Sequence, residues 1–238
     1  MTLRTRAART LTAVSAVSAV LVLALAGCGG DDAQESGPTP AETLASAKET
    51  LDQTPGVRVA LSTEDLPRGV DGVVAAEGIG THAPAFDGSI TVAFGGAVFD
   101  VPVISVDDTV WAKVPLTIGW SDIDPGDYGA PDPATLMSTE SGFSSLLTAT
   151  DDLAEGESVR GGEDNDEVLT EYTGTVSGEV MANIIPSATG LFDVTYTVTD
   201  TDELREMTMT GVFYPDSTTM TYAVGFSDYG TDQVILAP

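Results

Sequence analysis

Ser89-Ile90-Thr91-Val92-Ala93-Phe94-Gly95-Gly96-Ala97-Val98-Phe99-Asp100-Val101-Pro102-Val103 is the stretch from which the fold can be read. Ile90, Val92 and Phe94 alternate with smaller or more polar neighbours, and the same period of two returns at Phe99, Val101 and Val103. Two glycines between alternating runs predict a two-residue hairpin turn, and the alternation predicts strands with a single apolar face. Such strands belong to an antiparallel sheet covered on one side only. Pro102 has no N–H to give to a ladder, which predicts a bulge or an edge at that point.

The pattern extends in both directions. Val57, Val59 and Leu61 alternate upstream, and Asp107-Asp108 predicts a second turn, into Val110, Ala112 and Val114. Later strands are expected at Val168–Val176, with Gly174 inside, and at Phe192–Thr199, Leu204–Phe213 and Thr219–Ser227, followed by a final segment Gln233–Leu236. Gly161 to Glu167 is a charged turn. Helices interrupt this series. Thr39-Pro40-Ala41-Glu42 has the form of a capping box, and Leu44, Ala47 and Leu51 follow at helical spacing until Pro55-Gly56. Asp132-Pro133 opens a short helix with Leu136 and Met137, and Ser141-Gly142 precedes Phe143, Leu146 and Leu147. Ser177 caps a third, with Val180, Met181, Ile184 and Ile185 before Pro186. The order predicts one α+β domain, with a twisted, largely antiparallel sheet and helices on one face.

Residues 1–27 read as a lipoprotein signal peptide. Arg4, Arg6 and Arg9 precede a run from Leu11 to Ala26 broken only by Thr12, Ser15 and Ser18, too short for a stable membrane span. Leu25-Ala26-Gly27-Cys28 resembles the bacterial lipobox, in which the thiol is diacylated and becomes the new N-terminus. Two acyl chains suffice for lasting anchorage, because each buried methylene contributes about 0.8 kcal/mol. The expected product is exported and held on the outer face of the cell membrane. Residues 28–40 then form the lipidated Cys and a flexible tether, and residues 41–238 the domain.

Composition narrows the chemistry. The chain has nine basic and 37 acidic residues, and losing the signal removes three of the basic ones and none of the acidic. Nucleic acid is excluded on charge, and adsorption to an anionic bilayer is disfavoured. Cys28 is the sole cysteine and His82 the sole histidine, so no disulfide or Cys/His metal cluster can form. His82 sits in Thr81-His82-Ala83-Pro84, where it reads as an exposed turn residue with no Gly-x-Ser-x-Gly elbow to serve. Asp122, Asp124, Asp127 and Asp132 crowd one loop beside Trp120 and Tyr128, but neither they nor Glu163–Glu167 have the spacing of a calcium loop. Solvated turn carboxylates are the expectation, with no metal, no cofactor and no enzymatic activity. Periodicity cannot tell a filled core from a hollow one, and the residues alone stop at a lipid-anchored α+β domain.

Trp120-Ser121-Asp122-Ile123-Asp124-Pro125, Tyr128, Asp132-Pro133-Ala134, Leu136 and Gly142-Phe143-Ser144-Ser145-Leu146-Leu147 resemble the actinobacterial LppX/LprA/LprF/LprG lipoprotein family. Asp87-Gly88-Ser89-Ile90, Thr173-Gly174-Thr175-Val176-Ser177 and Phe226-Ser227-Asp228-Tyr229-Gly230 fit the same pattern, which is loosest at Gly156–Asp166 and Ser187–Phe192. The resemblance implies a curved, half-open antiparallel sheet with helices on its concave face around a hydrophobic cavity. It also implies a carrier that binds acylated lipids or glycolipids and moves them across the envelope. A monomer is expected, with a membrane transporter as a further partner. A second expectation is a non-enzymatic adaptor presenting the loop Trp120–Pro133 to a transporter or cell-wall factor. By strand parity, Ile90, Val92, Phe94, Phe99, Val101 and Val103 are expected to line the sheet side of such a cavity. Leu146, Leu147, Met181, Ile184 and Ile185 are expected on the helix side, and Trp111, of opposite parity, faces outward.

Overall fold

The computed structural model describes residues 37–238 apart from 116, 129, 163, 164 and 216. The expected signal peptide, Cys28 and the expected tether up to residue 36 lie outside the described residues.

Helix α1 (Pro40–Gln53) starts with the expected capping box: Glu42 N donates to Thr39 Oγ1 at 3.3 Å, and the Glu42 carboxylate accepts from Thr39 N at 2.8 Å. Thr39 N, and beside it Thr39 Oγ1, donate to the Glu42 carboxylate and hold it below its ordinary pKa. Leu44, Ala47 and Leu51 are fully buried along one face. Strands β1 (Gly56–Ser62), β2 (Gly72–Thr81), β3 (Ala85–Phe94), β4 (Ala97–Val106), β5 (Thr109–Ala112) and β6 (Ser121–Ile123) then form consecutive antiparallel hairpins. Both expected turns have left-handed backbone at their central residues. Gly95 and Gly96 have φ of 59° and 81°, and Asp107 and Asp108 of 54° and 58°. Two-residue turns of that kind match the twist of the strands they join.

After β6 come two single 3-10 turns (Pro125–Tyr128 and Thr135–Met137), helix α2 (Phe143–Thr148) and strand β7 (Asp151–Gly161). Strand β8 (Glu167–Ser177), helix α3 (Gly178–Met181), and strands β9 (Thr189–Thr199), β10 (Leu204–Val212) and β11 (Met220–Ser227) complete the series. All pairings are antiparallel in one eleven-stranded sheet of order β6-β5-β4-β3-β2-β1-β11-β10-β9-β8-β7. The first and last strands meet in the middle, where Arg58 spans the seam to Asp228 (2.9 Å) and Glu77 (3.3 Å). The edges, β6 and β7, are consecutive in sequence and do not pair, so the sheet stays open. Residues 124–150 must therefore cross from one edge to the other, and they cross over the sheet's inner face.

The main core lies between α1, α2, α3 and the inner rows of β1 and β8–β11. The Phe192 and Phe213 rings meet at a 60° tilt with centroids 4.8 Å apart, and Tyr222 meets Phe213 edge-on at 4.9 Å. Gly211 makes this possible, because a Cβ there would lie 2.2 Å from the Phe192 ring.

Three strands escaped the sequence reading, each for a physical reason. In β2 a register shift between Val73 and Ala75 breaks the period of two. In β7 almost every residue is exposed and the register slips twice, so backbone pairing to β8 holds it without an apolar row. Strand β6 is only three residues long and lies inside the acidic loop. Pro102 marks no bulge, since the β3–β4 register runs unbroken past it, but it does mark where the outer side of β4 becomes an edge. Its carbonyl accepts Lys113 N at 3.0 Å, but with no N–H it cannot return a bond, and the β4–β5 ladder ends there. The segment Gln233–Leu236 is in no strand; it runs beside β3, where Gln233 donates to Asp87 at 3.1 Å.

Candidate functional site

The inner rows of β3 to β6 form an apolar floor. Ile90, Val92 and Phe94 from β3 sit opposite Val101, Phe99 and Ala97 of β4, and Val103 sits opposite Ala112 of β5. The side chains are mostly β-branched or small, and what lies over them is the extended crossover rather than a helix. Pro125, Tyr128, Ala130, Pro131 and Pro133 make that roof, and a cavity of about 310 Å³ remains between roof and floor. Among the described residues, no charged side chain lines it.

The roof is fixed differently at its two ends. At one end Asp132 accepts from Ser105 Oγ of β4 at 2.5 Å and from Ala134 N at 2.9 Å, tying the crossover to the floor. Near the β3–β4 hairpin tip the tie is an apolar contact, with the Phe94 and Tyr128 rings 5.6 Å apart. Between them Asp124 Oδ1 accepts Gly126 N at 2.9 Å and Pro125 O accepts Ala130 N at 3.1 Å, which shapes the turn.

A second cavity of about 60 Å³ adjoins the first through Ile90, Ala130, Pro131 and Pro133, and extends under Val59, Leu61 and Val73 toward Ile184 and Ile185. Tyr214 and Tyr222 close it. Their hydroxyls form a chain: Val73 N donates to Tyr214 Oη, the two hydroxyls lie 2.8 Å apart, and Tyr222 Oη donates to Val73 O. Burial pushes the Tyr222 hydroxyl pKa well up, so it stays protonated and the wall carries no charge.

Of the side chains expected around a cavity, Ile90, Val92, Phe94, Phe99, Val101 and Val103 are all on the wall of the larger one. Ile184 and Ile185 reach the smaller one. Leu146, Leu147 and Met181 do not face any described cavity. They are at most 1% exposed in the main core, because α2 and α3 pack on the other half of the sheet. The sequence reading missed Val110, Ala112, Val114 and Ile123 as lining residues. The parity of the Val110–Val114 row held that signal, whereas the proline roof left none. Trp111 pairs with Ile104 and Asp122 on the opposite face from the cavity. His82 is on the expected turn but is half-buried rather than exposed, with Nδ1 2.8 Å from Met137 O.

Asp108, Asp122, Asp124 and Asp132 line an open acidic cleft that shares Val110, Ile123 and Pro125 with the cavity. Asp124 and Asp132 are occupied in shaping the roof. Among the described residues, no group of three or more His, Cys, Asp or Glu side chains could hold a metal ion, and no helix is long and apolar enough to cross a membrane. The chemistry on offer is apolar enclosure beside an acidic rim.

The LppX_LprAFG lipoprotein family matches residues 39–234. No curated protein matches the chain. Among solved structures, LprF from Mycobacterium bovis superposes with a TM-score of 0.68 at 14% identity, over 84% of this chain and 96% of that one. The Mycobacterium tuberculosis lipoprotein LppX superposes with a TM-score of 0.60 at 16% identity, over 84% of this chain and all (100%) of that one. At these identities the likeness is one of fold: a single open antiparallel sheet with few helices.

Proposed function

Given that the chain belongs to the LppX_LprAFG lipoprotein family, we propose that it is a lipid carrier of the cell envelope that takes acyl chains of a lipid or glycolipid into the cavity over β3–β6. The observation that carries this reading is the cavity itself. A recess of about 310 Å³ walled by apolar side chains leaves that surface without covering side chains, which forgoes about 25 cal/mol for each Å² left uncovered. A core is not built that way for stability. The volume lies at the low end of the roughly 300–1,000 Å³ range of small-molecule sites. It suits one acyl chain, and a lipid with more chains requires the crossover to lift.

Each methylene taken from water into such a space contributes about 0.8 kcal/mol, so ten of them supply about 8 kcal/mol without any polar contact. A lipid leaving a bilayer gains little of this, since the bilayer interior is equally apolar. Useful carriage therefore calls for a favourable route out of the membrane or for a transporter that receives the cargo. In this reading Cys28 is diacylated, the protein is exported and held at the outer face of the membrane, and it acts as a monomer without catalysing a reaction.

Native mass spectrometry of protein purified from its own host tests the proposal. Lipid adducts are expected. Recovery of ligand-free protein only, even under the gentlest ionisation, would overturn it.

A further inference from the structure

The apolar surface of this protein is not evenly spread. Among the described residues, Phe94 (42% exposed), Val98 (64%) and Ile118 (103%) are large hydrophobic side chains open to solvent, and all three belong to one end of the sheet. Phe94 and Val98 flank the β3–β4 turn. The Lys113 N to Pro102 O bond sends the chain after β5 along β4 toward that same turn, which brings the loop Lys113–Trp120 alongside it. The other exposed large hydrophobics, Val159, Leu191, Val234 and Leu236, line none of the cavities.

Charge is segregated in the same way. In a chain of net charge −28, Gly88 to Phe99 carries no charged residue, and Thr109 to Ser121 carries only Lys113. The carboxylates nearest this end are engaged locally: Asp71 accepts Gly95 N at 2.9 Å, and Asp100 accepts Thr91 Oγ1 at 2.6 Å. Lys113 Nζ lies 4.7 Å over the Trp120 ring. A lysine and a tryptophan beside exposed aliphatic side chains form the composition that settles at the boundary between water and acyl chains. Phe94, Phe99, Val114, Pro115 and Tyr128, which line the cavity, come from these same two tips and from the roof contact between them.

We propose that the tip Phe94–Val98 and the loop Lys113–Trp120 are a bilayer-docking face, which seats the cavity's tip end against the acyl layer of a zwitterionic membrane. With no acid in Gly88–Phe99 or Thr109–Ser121, and with the neighbouring Asp71 and Asp100 hydrogen-bonded locally, this end meets less repulsion at a lipid surface than the acidic remainder of the chain, which orients the molecule. The docking face goes beyond the carrier reading and depends on it only for the purpose of docking.

The two tryptophans make the test direct. The full chain, purified from its host, is placed on phosphatidylcholine vesicles whose acyl chains are brominated. With Trp111→Phe, leaving Trp120, fluorescence is expected to fall about two-fold through contact with brominated chains. With Trp120→Phe, leaving Trp111, it is expected to stay unchanged. Adding Val98→Asp and Ile118→Asp, neither of which lines the cavity, should abolish the quenching of Trp120 while the thermal melt is preserved. The same pair should slow uptake of a fluorescent fatty-acyl probe from vesicles by about ten-fold and leave its final loading unchanged. Unquenched Trp120, quenching that survives both aspartates, or a Trp120 shielded only as protein concentration rises (a second copy covering the face) would each overturn the docking face. Failure of the unaltered chain to load the probe at all would count against the carrier reading instead, and the quenching result would still decide docking.

Discussion

Strands β8–β11 and strands β3–β6 both alternate apolar and polar residues, yet one half of the sheet is filled and the other is hollow. Over β8–β11, three helices supply Leu44, Leu146 and Met181 to one buried cluster with Phe192, Tyr196 and Tyr222, and packed aromatic rings fill most of the space. Over β3–β6 the floor is mostly Val, Ile and Ala, with Phe94 and Phe99 toward the hairpin tip, and the cover is an extended segment with three prolines whose one large side chain on the cavity is Tyr128. Alternation decides which face is apolar. Side-chain volume and the type of cover decide whether that face encloses a core or a container.

The largest expected difference between the halves comes from truncation. Phe213→Ala should destabilise the protein by about 3–5 kcal/mol and lower Tm by roughly 10 °C, whereas Val92→Ala, on a wall already facing open space, should lose less than about 1 kcal/mol. Equal losses in calorimetry would erase the distinction between filled and hollow. The converse change is Ile90→Trp, at the wall shared by both cavities. Its indole occupies the space, so acyl-probe loading should drop by about ten-fold or more while Tm holds or rises. Normal loading in that variant would move the binding site elsewhere.

Ser105→Ala removes the polar tie of the roof at its Asp132 end. A loss of about 1–2 kcal/mol is expected, together with faster exchange of bound probe, read by stopped-flow fluorescence. Unchanged exchange would mean that the roof moves only at the Phe94–Tyr128 end. The smallest effect is at the outer part of the filled half, where Arg205 bridges Glu167 and Glu203. Hydrogen bonds from Arg205 hold the Glu167 carboxyl below its ordinary value of 4.5. A depressed carboxyl stabilises the fold above the unfolded-state pKa and loses that contribution as pH falls through the folded value. Glu167→Gln should therefore lower stability slightly at pH 7, by about half a kcal/mol, and the gap to the unaltered protein should close as pH falls below the ordinary carboxylate range. A gap that widens in acid would contradict the ion pair.

The halves also differed in how far they could be read from sequence. The hairpin at Gly95-Gly96 and the inward rows of β3 and β4 follow from local chemistry, and parity put all six of their side chains on the cavity wall. Helix α1 was legible for the same reason, through its cap and its Leu44–Ala47–Leu51 stripe. The cover was not legible. Whether Leu146 or Pro131 lies over a given strand depends on which edge the crossover leaves and which it joins, and no period in the sequence encodes that. Hence Leu146, Leu147 and Met181 were expected at a cavity and belong to the filled half. Strand β7 was invisible because its pairing owes nothing to an apolar row.

The meeting of β1 with β11 sets a timetable. Arg58 and Asp228, joined across that seam, are 170 positions apart, so the centre of the sheet is its most non-local contact. A ribosome finishes β1 through β6, floor of the container included, while the strand that will pair with the other side of β1 does not yet exist. Until β11 arrives, β1 presents an open edge and the helices lack most of the surface they cover. Loop closure on that scale makes assembly slow. The last strand to emerge is thus the one that joins the two halves of the sheet.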